Sequence, residues 1–135
     1  MRAPLDILRA WKPDVIVVLI AVLTAPLFLY GLGSTYLWQD EAQTALLARS
    51  VLRHGVPMVG EGPESLSSNG GADAGPGGVY LQIAWLQAYV AAASFTLLGE
   101  SAWAARAPFA LAGWLSVPLA AWTMRRAGAS VLAAR

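Results

Sequence analysis

Two adjacent carboxylates, Asp40 and Glu41, are the residues of this chain best placed to do chemistry. They open the stretch D-E-A-Q-T-A-L-L-A-R-S-V-L-R-H, which has a helical pattern from Asp40 to His54. Acids at a helix start have a second use: they cap free N–H groups and complement the helix dipole. Spacing alone favours capping, and a catalytic role needs more than position. Little else in the chain offers chemistry. His54 is the single histidine and cannot build a His-rich metal site alone, and the absence of cysteine excludes disulfides and Cys-based metal sites. No Gly-Lys-Ser/Thr follows the glycines of the long loop, so it is not a phosphate loop, and Asn69-Gly70-Gly71 lacks the Ser or Thr of a glycosylation acceptor.

The elements that hold the acidic pair can be read from composition. The chain is 57% hydrophobic and 13% charged, against about a quarter charged in an ordinary soluble domain, which points to a lipid bilayer as its partner. A net charge of +1 with no densely basic face gives no case for nucleic acid. Charges are missing from 15–39, 74–99 and 107–124, and each gap exceeds or approaches the ~18–20 apolar residues that cross a bilayer core. The expected fold class is therefore all-α integral membrane, with spans at 15–32, 79–98 and 108–124. Arg2, Arg9 and Lys12 precede the first apolar run as in a signal peptide, yet that run is long for one and two further runs come after it.

Pro26 and Pro118 fall inside the first and third spans and should bend them, whereas Pro108 suits a first helical turn. In the second span Tyr80, Gln87 and Ser94 recur every seven residues, and Ala84, Ala88 and Ala92 every four. This face should meet another helix, with Gln87 serving packing. Ala112, Ser116 and Ala120 form a similar stripe in the third span. Gly99-Glu100-Ser101 makes the turn of a helical hairpin.

Between the first two spans lies a loop of 45 residues or so, far longer than the usual helix connection. In its first half, residues 40–54, Thr44, Ala45, Leu47, Ala48, Val51 and Leu52 share one arc. Gln43, Arg49, Ser50 and Arg53 lie opposite, and Leu46 breaks the pattern. The expectation is a juxtamembrane amphipathic helix, apolar side down, ended by Gly55 and Pro57. The second half, 58–78, is rich in Gly, Ser and Pro and reads as a flexible linker.

The run W-Q-D-E-A-Q-T-A-L-L-A-R-S-V-L-R-H-G-V-P, Trp38 to Pro57, resembles the first extracytoplasmic segment of membrane glycosyltransferases with the GT-C fold, especially the protein O-mannosyltransferase and aminoarabinose-transferase relatives. L-L-G-E-S-A-W-A-A-R-A-P-F-A-L-A-G, Leu97 to Gly113, is similar to the turn between their second and third spans. The resemblance implies transfer of a sugar from a polyprenyl-phosphate donor to an extracytoplasmic acceptor by a multi-pass plasma-membrane enzyme. It implies Asp40 as the catalytic base and Glu41 as an acceptor-positioning residue. It also implies a cytoplasmic N-terminus, in agreement with the N-terminal basic residues; Arg125 and Arg126 would by charge alone argue the other way.

The chain departs from the family pattern in two respects. The Lys-Pro-Pro type motif before the second span is replaced by G-P-G-G-V-Y-L-Q, so no residue is assigned to the carrier phosphate. The family has many more spans, and the chain is expected to be an N-terminal piece, inactive by itself. No residue is assigned to a cofactor, and the part of a divalent metal ion stays open. The alternative function is a non-enzymatic polytopic protein, a transporter piece or a small membrane subunit. The absence of ionisable residues within the expected spans counts against transport.

Overall fold

The computed structural model describes residues 15–60, 72–82 and 84–127, and among these the chain is all-helical apart from isolated bridges. Its helices are α1, Val15–Leu29; α2, Gln39–His54; α3, Trp85–Leu98; and α4, Ala102–Arg126, with a short 3-10 turn at Pro76–Gly78. They fall into two compact units, one containing α1 and α4 from Leu111 onward, the other covering Gly31–Ala110.

One helix, α4, is long and apolar enough to cross a membrane. Its 25 residues would reach about 37 Å, against a bilayer core of about 30 Å. The other two expected spans are shorter helices. Helix α1 stops at Leu29 rather than Leu32, where Tyr30 closes a last bond to the Pro26 carbonyl (2.8 Å) and Gly31 comes next at φ 73°. Helix α3 starts at Trp85 instead of Val79. The backbone from Gly78 to Leu81 is committed on two sides. Val59 N–H donates to Gly78 O and Tyr80 N–H to Pro57 O, while Gly75 N–H donates to Val79 O and Leu81 N–H to Asp73 O. A helix begun at Val79 would need the Gly78 carbonyl to take Gln82 N–H, but the Gly78 and Val79 carbonyls accept from Val59 and Gly75 instead. Tyr80 thus lies outside the helix that carries Gln87 and Ser94. The same pairing shows that both ends of the expected flexible linker, next to Met58 and Gly78, are held in place; residues 61–71 lie outside the described residues.

Helix α2 keeps its expected limits but not its expected surroundings. Gly55, at φ 78°, closes it by donating to Val51 O, a conformation open to glycine at no steric cost. Ala45 and Ala48 pack with Ala91, Ala92, Phe95, Ala104 and Ala105, and Leu47 packs with Tyr80 and Ala88. Small side chains let the helices approach closely. Ser50, expected on the wet side, is buried: its hydroxyl donates to Val56 O (3.2 Å) and accepts Met58 N–H (2.8 Å). Leu52, expected on the apolar arc, is exposed. Protein covers α2 on two sides, a placement that helical periodicity cannot distinguish from contact with lipid.

The turn into α4 is built by Gly99, whose N–H reaches Phe95 O, and by Ser101, whose hydroxyl accepts Ala104 N–H (3.1 Å). Helix α4 starts at Ala102, so Pro108 and Arg106 stand inside it rather than at or before its first turn. A proline there leaves the carbonyl four residues back without its helical donor, in this case Ala104 O. Ser94 of α3 fills that place, donating its hydroxyl to Ala104 O at 2.6 Å in a fully buried setting. Serines in apolar helix pairs repair proline breaks in this way. In the other unit, Trp114 Nε1 donates to Ala21 O (2.7 Å), and Gly113 lies so near Phe28 that a Cβ would sit 3.2 Å from its ring. The stripe of Ala112, Ser116 and Ala120 is exposed.

The Ser94–Pro108 arrangement is testable by a double-mutant cycle. Ser94→Ala should destabilise the protein by roughly 1–3 kcal/mol, the cost of a buried carbonyl without a donor. Adding Pro108→Ala restores a backbone N–H to Ala104 O, so denaturant melts of the double variant should recover most of that loss. Simple additivity of the two substitutions would show that Ser94 does not complete the α4 ladder.

Candidate functional site

Asp40 and Glu41 occupy the second and third positions of α2, and the structure gives them different fates. Glu41 Oε2 accepts Trp38 N–H at 2.9 Å, the reciprocal half of a capping box. Its carboxylate also receives Arg106 Nε at 3.0 Å and Nη2 at 2.7 Å, one on each oxygen. Arg106 then spends its remaining donors on the turn before α2: Nη1 on Leu32 O (2.6 Å) and Thr35 O (3.0 Å), Nη2 on Tyr36 O (2.9 Å). A guanidinium has five N–H donors, and all five are engaged. One side chain from α4 thereby fastens the 32–36 turn to the first turn of α2.

Asp40 is left free. Its side chain is exposed, and among the described residues its carboxylate makes no hydrogen bond or ion pair. The capping role open to either acid has fallen to Glu41. Thr44, one turn later, donates to the Asp40 backbone carbonyl rather than to its carboxylate.

Both acids border a cleft of about 630 Å³, lined further by Leu32, Gln43, Thr44, Gln87, Ala105, Arg106, Phe109 and Ala110. The lining is mixed in chemistry. Leu32, Ala105, Phe109 and Ala110 supply apolar surface; Asp40, Gln43, Thr44 and Gln87 supply polar groups, the usual mix of a small-molecule site. Gln43 Nε2 is anchored on the buried Tyr80 hydroxyl. Gln87, expected to serve packing, borders the cleft. Among the described residues no group of three or more His, Cys, Asp or Glu side chains gathers to hold a metal ion. His54 lies at the far end of α2 and does not line the cleft.

Arg106 is the residue that sequence reasoning left without a role. It was visible as the last charge before an apolar stretch reaching to Arg125, and an ionisable residue in such a place calls for a partner. Its partner stands 65 residues earlier in the chain, beyond any local pattern.

A scan against protein families and searches of curated proteins and of solved structures find no match to this chain.

The Glu41 carboxyl is held below the ordinary carboxylate range, first by the Arg106 hydrogen bonds and next by Trp38 N–H. A depressed folded pKa stabilises the protein above the unfolded carboxylate pKa of about 4.3, and the contribution is lost as pH falls through the lower folded value. Thermal melts taken from neutral pH down into this range should therefore show a steep acid loss that Glu41→Gln flattens, because the amide cannot titrate. Arg106→Lys, with three donors and no planar fork, should lower stability at neutral pH as well. Unchanged acid behaviour in Glu41→Gln would show that this pair does not secure the turn.

Proposed function

We propose that this chain is membrane-embedded and forms the Asp40 side of the active site of a GT-C type glycosyltransferase. The enzyme transfers a sugar from a polyprenyl-phosphate donor to a hydroxyl of an extracytoplasmic acceptor. The observation that carries this reading is the unpaired carboxylate of Asp40 on the cleft, beside a carboxylate already consumed by Arg106. A base needs lone pairs open to the substrate, and among the described residues no hydrogen bond occupies either oxygen of Asp40, whereas both oxygens of Glu41 already accept.

In the proposed step the acceptor hydroxyl gives its proton to an Asp40 carboxylate oxygen as its own oxygen bonds to the anomeric carbon. The bond from that carbon to the carrier phosphate breaks, and its electron pair leaves with the polyprenyl phosphate. Glu41, with both oxygens occupied, contributes by fixing the turn that presents Asp40; its expected help in acceptor positioning runs through that turn.

Support for a membrane setting comes from the apolar faces of α1 and α4. Leu27 is 81% and Leu23 74% exposed, and Leu111, Leu115, Leu119 and Met124 are also exposed. An exposed apolar face of this kind marks a surface that contacts lipid or another protein. In this reading α1, α3 and α4 are three spans in a plasma membrane, the N-terminus is cytoplasmic and α2 lies outside. A reporter active only outside the cytoplasm should work when fused after Gly75 and be silent after Ser101. The opposite pattern would overturn the orientation.

Catalysis has its own test. Asp40 caps nothing, so Asp40→Asn and Asp40→Ala should both insert normally, with at most the ~0.3–1 kcal/mol due to the helix dipole lost. Sugar transfer by the intact protein should fall by roughly 10²–10⁴-fold in either, the usual worth of acid–base help. Near-normal transfer by Asp40→Asn would remove Asp40 as the base and favour a non-enzymatic membrane protein.

A further inference from the structure

The charge balance of the cleft limits what it can hold. Among the described residues three ionisable side chains line it, Asp40, Glu41 and Arg106. Glu41 and Arg106 cancel each other across two hydrogen bonds, and Arg106 has no N–H left for an incoming group. The positive end of α2, a ready anion site in other helices, faces Asp40 and Glu41 in its own first turn. What is left uncompensated is one negative charge on Asp40. Thr44 donates its hydroxyl to Asp40 O and Gln43 donates one N–H to Tyr80, and the donors that stay open on the lining, on Gln43 and Gln87, are uncharged amides suited to a hydroxyl rather than to balancing an anion.

We infer that this cleft seats an uncharged or cationic hydroxyl-bearing group, the acceptor, and that the carrier phosphate is held outside it. The inference rests on the cleft being the substrate site of the proposed transferase. It agrees with the chemistry of direct displacement, in which the nucleophile and the leaving phosphate stand on opposite faces of the sugar ring. A phosphate seated beside Asp40 would meet its charge with no cation free to offset it among the described residues that line the cleft. The cleft is thus an acceptor subsite, with its apolar lining against the acceptor's carbon skeleton and Asp40 at its hydroxyl.

The chain has no cysteine, so Gln87→Cys places a single thiol on the cleft wall, and Thr44→Cys places one on α2 as an independent reporter. The intact protein would be treated at low salt with a trimethylammonium-ethyl and a sulfonatoethyl methanethiosulfonate, with the neutral methyl reagent as an accessibility control. Rates are divided by those for 2-mercaptoethanol, and the ratio of the two charged reagents cancels effects on the thiol's own reactivity. The cationic reagent should be favoured about five- to tenfold, the effect of one nearby charge in a solvated cleft. Adding Asp40→Asn should bring the ratio close to unity, and adding Glu41→Gln, which leaves Arg106 without its counter-charge, should move it towards the anionic reagent. A preference for the anionic reagent in the single-cysteine proteins, or a ratio indifferent to Asp40→Asn, would overturn the inference. These rates do not depend on turnover. A cationic preference alongside normal transfer by Asp40→Asn would therefore sink the transferase reading of Asp40 and leave the charge selectivity standing.

Discussion

The guanidinium of Arg106 is the constraint on which the site depends. It lies in the second turn of α4 and meets five acceptors on the 32–36 turn and on Glu41. Three of these acceptors are backbone carbonyls that would otherwise need water or a helix of their own. The arrangement satisfies a cation close to apolar surroundings and a bend in the chain at the same time. Its side chain is 15% exposed against 40% for Glu41, so the pair is partly shielded from solvent and less screened than the open Arg49–Glu100 pair.

Consuming Glu41 is what sets Asp40 apart. Two neighbouring acids of the same chemistry differ here because one is reached by a fork of donors and the other projects onto a cleft. In the proposed reaction this divides the work: Glu41 holds the geometry, and Asp40 keeps its lone pairs for a proton. The apolar helices contribute by approaching closely. Alanines 45, 48, 91, 92, 104 and 105 bring α2, α3 and the start of α4 together, and the Ser94 hydroxyl makes Pro108 tolerable at that junction.

Much of the local structure was legible in the sequence, and for local reasons. Acidic residues ahead of a periodic stretch and Gly55-Val56-Pro57 after it bracket α2 to within a residue of its observed limits, since caps act within one turn of the positions they stop. The Gly99-Glu100-Ser101 turn is of the same kind. The start of α3 was not legible: Val79 to Ala84 looks as apolar as the helix beyond it, and only the pairing of Gly78 to Leu81 with two other stretches withholds it from that helix. Ser50 misled for a related reason, because periodicity assigns faces but is silent on their cover.

Taken alone, the sequence determined composition-level facts: long uncharged stretches, one acidic pair, no thiol, a single histidine. It determined helix ends where capping residues stand beside the backbone groups they satisfy. The tertiary structure decided which of the two acids is free, that Arg106 and not a neighbouring residue consumes the other, and that Ser94 mends the break at Pro108. Each of these joins groups from ten to more than seventy positions apart. Hydrogen bonds of that reach depend on how helices dock, and docking is set by the complementarity of whole surfaces that no short window of sequence contains.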